Sequence, residues 1–348
     1  MTKRVALATL GCKVNQVDSA AIAEAIERRG FSLVPFDAEA DVYIVNTCTV
    51  TGRTDYQSRQ LVRRAARRNP AAAVVVTGCY AQVAPGTLST LPGVVFVAGT
   101  AEKHRIPEMI ADLDRPPADR VLAGGLSSLR TFDGPSAVRF AGHTRAFLKV
   151  QDGCDARCRY CIVPYARGRS RSLPLSEALA RLKELGEAGY RETVVTGIHL
   201  GAYGRDLKPA ADLPLLLAAA ERQGGMERLR LSSVEPREVT EDLIALMRRS
   251  RLLCRHLHIP LQSADSDVLR GMGRDYDAAL YGALVSAVAA AVPDIAIGAD
   301  VMAGFPGETP AQFANTCEFL QASPLAYLHV FPYSDRPGTE ASRMEGKV

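Results

Sequence analysis

The chain has 348 residues, 47% of them hydrophobic, with 42 basic and 38 acidic side chains for a net charge of +4. That length allows two or three domains with cores of their own, and the small basic excess, mostly arginine, permits nucleic-acid binding without requiring it. Eight clustered cysteines in so long a chain point to metal ligation in a reducing cytoplasm rather than to a disulfide scaffold, and no segment approaches the roughly 20 apolar residues of a membrane span.

Lys3-Arg4 followed by Val5 to Gly11 mimics a tiny signal peptide but serves equally well as a first buried strand. From Lys3 to about Leu113, short apolar runs alternate with helical periodicity. Val5 to Ala8 precedes a helix over Ala20 to Arg29, and Val42 to Val45 precedes one over Thr54 to Arg68. Val74 to Val76 leads into a short helix, and Val94 to Val97 into one over Glu102 to Asp112. This rhythm predicts a doubly wound parallel sheet over residues 1–113, with helices on both faces and ligands at the carboxyl ends of the strands. Residues 114–143, with Pro116-Pro117, Gly124-Gly125 and Gly134-Pro135, have weak periodicity and are expected to form a linker.

Alternation resumes over residues 144–348 with strands at Phe147 to Gln151, Thr193 to Thr196, Leu229 to Ser233, His256 to Leu261, Ile295 to Ala303 and Tyr327 to Pro332. The intervening helices are expected over Ser176 to Ala188, Leu213 to Gln223, Glu241 to Arg249, Ala278 to Ala291 and Pro310 to Ala322. Six such repeats predict an open (β/α)6 partial barrel, so the overall class is α/β.

Cys154, Cys158 and Cys161 fall within eight residues, just after the first barrel strand. Three thiolates on a four-iron cube leave one iron bare, which points to a cluster that binds a small molecule directly. A zinc knuckle or three unconnected thiols are the alternatives, although a closed zinc site would want a fourth Cys or His nearby. Arg157 and Arg159 lie between the ligands, and Arg167, Arg169 and Arg171 follow; such basic side chains support thiolates.

Three more cysteines, Cys12, Cys48 and Cys79, each stand just past a strand of the first sheet. Parallel strands bring all three to one edge, where they can converge on a second three-thiolate cluster; the alternative is three core cysteines. The helix beyond Cys48 bears Arg53, Arg59, Arg63, Arg64, Arg67 and Arg68, which suit either a grip on RNA phosphates or an ordinary solvated basic face.

Later barrel strands end in polar or glycine-rich residues: Thr196-Gly197-Ile198-His199, Ser232-Ser233-Val234-Glu235, His258-Ile259-Pro260-Leu261-Gln262 and Asp300 to Glu308. Each is weak alone, since strand ends are usually turns, but their recurrence suggests ligand contacts.

The compact loop, with Tyr160 just before its last cysteine, resembles the radical S-adenosylmethionine (SAM) superfamily, in which the bare iron is chelated by SAM. The two triads together resemble the methylthiotransferase family of that superfamily across nearly the whole chain. Thr9 to Asn15, Asn46 to Thr51, Val195 to His199 and His256 to Ser263 are most similar to the branch that acts on N6-threonylcarbamoyladenosine next to the tRNA anticodon. Sister branches modify isopentenyladenosine in tRNA or an aspartate of a ribosomal protein.

The resemblance implies two 4Fe-4S clusters, on Cys12, Cys48 and Cys79 and on Cys154, Cys158 and Cys161. One SAM would donate a methyl group to sulfur at the first cluster. A second, cleaved at the other, would give a 5'-deoxyadenosyl radical that removes hydrogen from C2 of the adenine. Tyr160, Thr196, Gly197, His199, Ser232, Glu235, Gln262 and Asp300 are the expected SAM contacts, and no acid-base catalytic set is expected. The implied partners are tRNA and a reductant such as flavodoxin or ferredoxin, with no membrane and a single chain. The small RNA-binding (TRAM) domain that usually follows the barrel in this family is expected to be absent from this sequence. A non-catalytic iron-sulfur or zinc module that binds RNA is the reading from a different class.

Overall fold

A computed structural model describes residues 2–113, 119–126, 129–132, 134 and 136–347. It divides into two compact units. The first holds residues 1–143 with two later segments, Gly153–Asp155 and Ile162–Arg169; the second holds Thr144–Asp152, Ala156–Cys161 and the chain from Ser170 onward.

In the first unit the order is β1 (Arg4–Thr9), α1 (Lys13–Arg28), β2 (Ser32–Val34), β3 (Val42–Thr47), α2 (Gly52–Arg68), β4 (Ala73–Gly78), α3 (Cys79–Val83), α4 (Pro85–Ser89), β5 (Val94–Ala98), α5 (Ile106–Ala111) and β6 (Val121–Leu122). All six strands are parallel, in the order β2-β1-β3-β4-β5-β6. The apolar run of β3 is buried on both sides because the sheet is covered on both. Tyr43 and Val45 pack with Val62 and Ala65 of α2, whereas Val42 and Ile44 pack with Ile22 and Ile26 of α1 and Ile110 of α5. Each such aliphatic side chain contributes roughly 1.5–3 kcal/mol by leaving water.

Two strands were not foreseen. β2 is only three residues long, too short to show periodicity, and β6 lies inside the stretch expected to be a linker. That stretch is held further by Glu24, whose Oε1 accepts from the backbone N–H groups of Val138 and Arg139 at 2.6 Å each. Pro116, Pro117 and Pro135, the breakers behind the linker expectation, lie outside the described residues. The strand order reverses beside β1: the chain passes from β1 to β2 on one side, then returns to lay β3 on the other. The mouth of the sheet between the carboxyl ends of β1 and β3 is therefore its natural ligand crevice.

The later elements are β7 (Ala146–Lys149), β8 (Gln151–Asp152), α6 (Val163–Arg167), β9 (Arg171–Ser172), α7 (Leu175–Glu187), β10 (Glu192–Thr196), α8 (Leu213–Gln223), β11 (Arg228–Leu231), α9 (Glu241–Arg249), β12 (His256–His258), α10 (Ser266–Gly271), α11 (Ala278–Ala291), β13 (Ala296–Ala303), α12 (Pro310–Ala322) and β14 (Tyr327–Pro332). Of these, α6 belongs to the first unit. In the second, β7, β10 and β11 form one parallel sheet and β12, β13 and β14 another. Parallel bridges Leu229 to Leu253 and Ser233 to His258 carry the pairing from β11 to β12. The result is six parallel strands in sequential order with helices between them, the open (β/α)6 arrangement.

Candidate active site

The dispersed cysteines occupy the loop ends facing that crevice. Cys12 caps the start of α1, Cys48 follows β3, and Cys79 is the first residue of α3. Two glycines make the approach possible. Gly11 and Gly78 both adopt φ near +95°, a left-handed conformation that side chains strain to reach. A Cβ on Gly11 would lie 2.8 Å from the Cys48 sulfur, and one on Gly78 would lie 2.3 Å from the Thr47 carbonyl oxygen.

Side-chain bonds then buckle the three loops together. Asn15 Nδ2 donates to the carbonyls of Leu10 at 2.8 Å and Thr47 at 3.0 Å, and Asn46 Nδ2 donates to Asn15 O at 3.0 Å and Ser19 Oγ at 2.8 Å. Thr47 Oγ1 donates to Thr77 O at 2.6 Å and accepts from the Ala81 N–H at 3.2 Å.

Cys48 and Cys79 are buried while Cys12 is exposed. Burial, reinforced by Cys79 and Cys12, pushes the Cys48 thiol up to about 12. Burial also raises Cys79, against the opposing pull of Arg167 and Lys103 and a hydrogen bond from Arg167. Three cysteines at the loop ends of one crevice form a donor set suited to iron, whose positive charge would favour the thiolates that burial disfavours.

At the compact loop, Cys154 N donates to Gly168 O at 3.0 Å within the first unit. In the second unit a turn closes from Cys161 N to Cys158 O at 3.0 Å, and Arg159 N donates to Met272 O at 2.9 Å. Arg274, which sequence reasoning missed, donates from Nη1 to the Cys158 sulfur at 3.1 Å. It forms an ion pair with Glu235 and lies over the Tyr276 ring at 4.9 Å. Tyr160 packs against Met272, Met302 and Phe305. Arg159 pairs with Glu340 at 3.1 Å and Arg169 with Asp155 at 3.4 Å. Arg167 donates to Asn15 Oδ1 at 2.6 Å and Asp18 Oδ2 at 3.4 Å, both on α1 of the dispersed site.

The strand-end residues divide into two groups. Gln151 accounts for one: its Oε1 accepts from the His199 N–H at 2.8 Å, and a Cβ on Gly197 would sit 2.9 Å from that same oxygen. Gly197 is thus required by Gln151, and His199 Nε2 is engaged by Glu238 at 2.9 Å. Asp300 accepts from His258 Nε2 at 3.0 Å and His329 Nδ1 at 3.3 Å. Burial opposes its ionisation, but the two imidazoles win and hold the carboxyl below its ordinary range. These three residues present donor atoms within 4.8 Å of one another, a set able to hold a cation. Thr196 is buried at the end of β10. In the other group, Ser232 Oγ and Gln262 Oε1 are buried and have no hydrogen-bond partner among the described residues, and Gln262 sits at φ +67°. Each such atom costs about 1–3 kcal/mol, which a polar ligand would offset.

On α2, begun by a capping box between Thr51 and Thr54, only Asp55, Ser58, Val62 and Ala65 face inward. Arg53, Arg64 and Arg67 are exposed and Arg63 half-buried; Arg64 pairs with Asp37. Arg59 Nη1 donates to Tyr80 Oη at 2.7 Å, beside Cys79.

Residues 4–99 match the model described as uncharacterized protein family UPF0004, and residues 148–320 match the radical SAM superfamily. The threonylcarbamoyladenosine tRNA methylthiotransferase MtaB of Bacillus subtilis is 41% identical over 347 residues, 99% of this chain and 76% of that protein. The chain belongs to the radical SAM methylthiotransferase family. The MtaB of Aquifex aeolicus is 39% identical over 99% of this chain and 84% of its own length. A tRNA-2-methylthio-N(6)-dimethylallyladenosine synthase of Frankia alni is 36% identical over 98% of this chain and 69% of that protein. Among solved structures, the radical SAM methyltransferase TsrM of Kitasatospora setae aligns over 98% of this chain and 77% of its own, with a TM-score of 0.66 at 16% identity, a likeness of fold. The methylthiotransferase is a transferase whose cofactors are SAM and two four-iron clusters. Among the described residues, no helix is long and apolar enough to cross a membrane.

Proposed function

We propose that this methylthiotransferase converts N6-threonylcarbamoyladenosine next to the tRNA anticodon to its 2-methylthio derivative. One cluster is held by Cys12, Cys48 and Cys79 and the other by Cys154, Cys158 and Cys161. The observation that carries the ligand assignment is the convergence of three loop-end cysteines on one crevice, two of them preceded by a left-handed glycine and all tied by Asn15, Asn46 and Thr47. The substrate rests on the two MtaB relatives near 40% identity, against 36% for the dimethylallyladenosine enzyme.

When bound, SAM and the clusters supply the methyl group, the sulfur chemistry and the radical that removes hydrogen from C2. The chain's residues hold and shield them. Arg274, fixed by Glu235, donates to the Cys158 sulfur and favours its thiolate. Ser232 and Gln262 offer SAM the polar partners they themselves lack among the described residues, while Tyr160, Met272, Met302 and Phe305 keep water from the loop. Arg53 and Arg67, exposed on α2, and half-buried Arg63 would meet RNA phosphates. The electron comes from a flavodoxin- or ferredoxin-type reductant, and the enzyme acts as a single chain in the cytoplasm, where its substrate is.

Mass spectrometry of tRNA from a deletion strain tests the substrate. Loss of 2-methylthio-threonylcarbamoyladenosine is expected. Loss of the isopentenyl-linked modification instead would move the enzyme to the sister branch.

A further inference from the structure

Arg167 heads the side chains buried to below 2% exposure when ranked by volume. It is carried by α6, which begins two residues after Cys161, and the helix is fastened by Thr100 Oγ1 donating to Ala166 O at 2.7 Å. The guanidinium donates to Asn15 Oδ1 at 2.6 Å and Asp18 Oδ2 at 3.4 Å, and Asn15 in turn bonds the Leu10 and Thr47 carbonyls in the loops of Cys12 and Cys48. Asn15 and Asp18 belong to α1, the helix that Cys12 caps. Lys103, also buried, pairs with the same Asp18 carboxylate.

Taking a guanidinium and an ammonium out of water carries a desolvation penalty of several kcal/mol each, and packing alone would be met by Met or Leu. The arrangement makes physical sense beside an anion. A reduced cubane carries one more negative charge than an oxidised one, so a fixed cation beside its ligand loops stabilises the reduced form more and raises its potential.

We propose that Arg167, anchored by Asp18 and Asn15, is a positioning residue that sets the reduction potential of the cluster on Cys12, Cys48 and Cys79. This rests on the ligand reading above. The stretch of chain carrying the SAM-cleaving loop thereby also supplies the dispersed site with its cation.

The test uses the full chain with Cys154, Cys158 and Cys161 all replaced by Ala, so that only the dispersed site loads, reconstituted anaerobically and titrated redox-wise by electron paramagnetic resonance. Arg167→Gln is expected to make reduction at least tenfold less favourable, about 59 mV lower for one electron, with iron content unchanged. Arg167→Lys is expected to recover most of that shift. A Gln variant that loads and keeps the parent midpoint overturns the proposal. Should it fail to load, Arg167→Met decides: an unchanged or raised midpoint there overturns it equally. If instead Cys79→Ala in the same background retains its cluster, the ligand reading itself has failed, whatever Arg167 does.

Discussion

The two cysteine triads solve one problem by opposite means. In the compact loop, chain connectivity alone keeps the three cysteines within eight residues of one another. In the dispersed set, tertiary structure must bring together Cys12, Cys48 and Cys79, and it does so with strand order, two glycines at φ near +95° and a net of asparagine and threonine hydrogen bonds. Both sites nonetheless converge on the same electrostatic unit. Arg274 held by Glu235 donates to Cys158, and Arg167 held by Asp18 donates to Asn15, which ties the Cys12 and Cys48 loops. Geometry can therefore come from spacing or from topology, but the charge beside the cysteines is supplied by a carboxylate-anchored arginine in each case.

The comparison can be broken most sharply at the ligands. Cys158→Ala should reduce 5'-deoxyadenosine formation to background, measured by chromatography after anaerobic reduction; persistent cleavage would remove the compact loop from the chemistry. Cys48→Ala should leave cleavage within a few-fold of the parent yet abolish methylthiolated product. Retained sulfur insertion would refute the division of labour between the triads.

A smaller effect separates the two means of construction. Gly78→Ala places a Cβ 2.3 Å from a backbone oxygen at a left-handed φ and should cost about 2–4 kcal/mol, read by urea denaturation. Iron at the dispersed site should be lost while SAM cleavage at the compact loop survives. Equal loss of both activities would show that the two sites are not built independently.

The smallest effect comes from a charge cluster at the other end of the barrel strands. Glu192, the first residue of β10, bonds Arg230 at 2.7 Å and Arg228 at 3.1 Å. Burial opposes its ionisation, but the hydrogen bond and charge of Arg230, with the other arginines, lower its pKa on balance. A depressed carboxyl stabilises the fold above its unfolded pKa of about 4.3 and loses that contribution as pH falls through the folded value. Glu192→Gln should cost about 1–2 kcal/mol at pH 7, with the gap to the parent closing as pH falls below about 4.3 in denaturation midpoints. A gap independent of pH would mean that packing, not charge, holds this corner.

Much of this was legible in the chain. The α8, α9, α11 and α12 boundaries match the periodicity, and the cysteines stand at the expected strand ends because apolar runs bounded by Gly11 and Gly78 mark where strands stop. What escaped depends on tertiary neighbours. Arg167 stands in a basic run and was grouped with the loop nearest in sequence, although Pro164 and Gly168 frame it in a one-turn helix of its own. Arg274 lies more than a hundred residues from Cys158, beyond the reach of any spacing rule. Gly197 and His199 stand beside Gln151 and Glu238, neighbours that no local pattern announces.

The first unit reclaims Gly153–Asp155 and Ile162–Arg169 from the far side of its apparent end. A gene fragment stopping at His143 would encode every dispersed cysteine and still omit the arginine beside them. Exchanging barrels among relatives would likewise bring in the donor's residue at position 167, so that side chain travels with the barrel segment and not with the cysteines it stands beside.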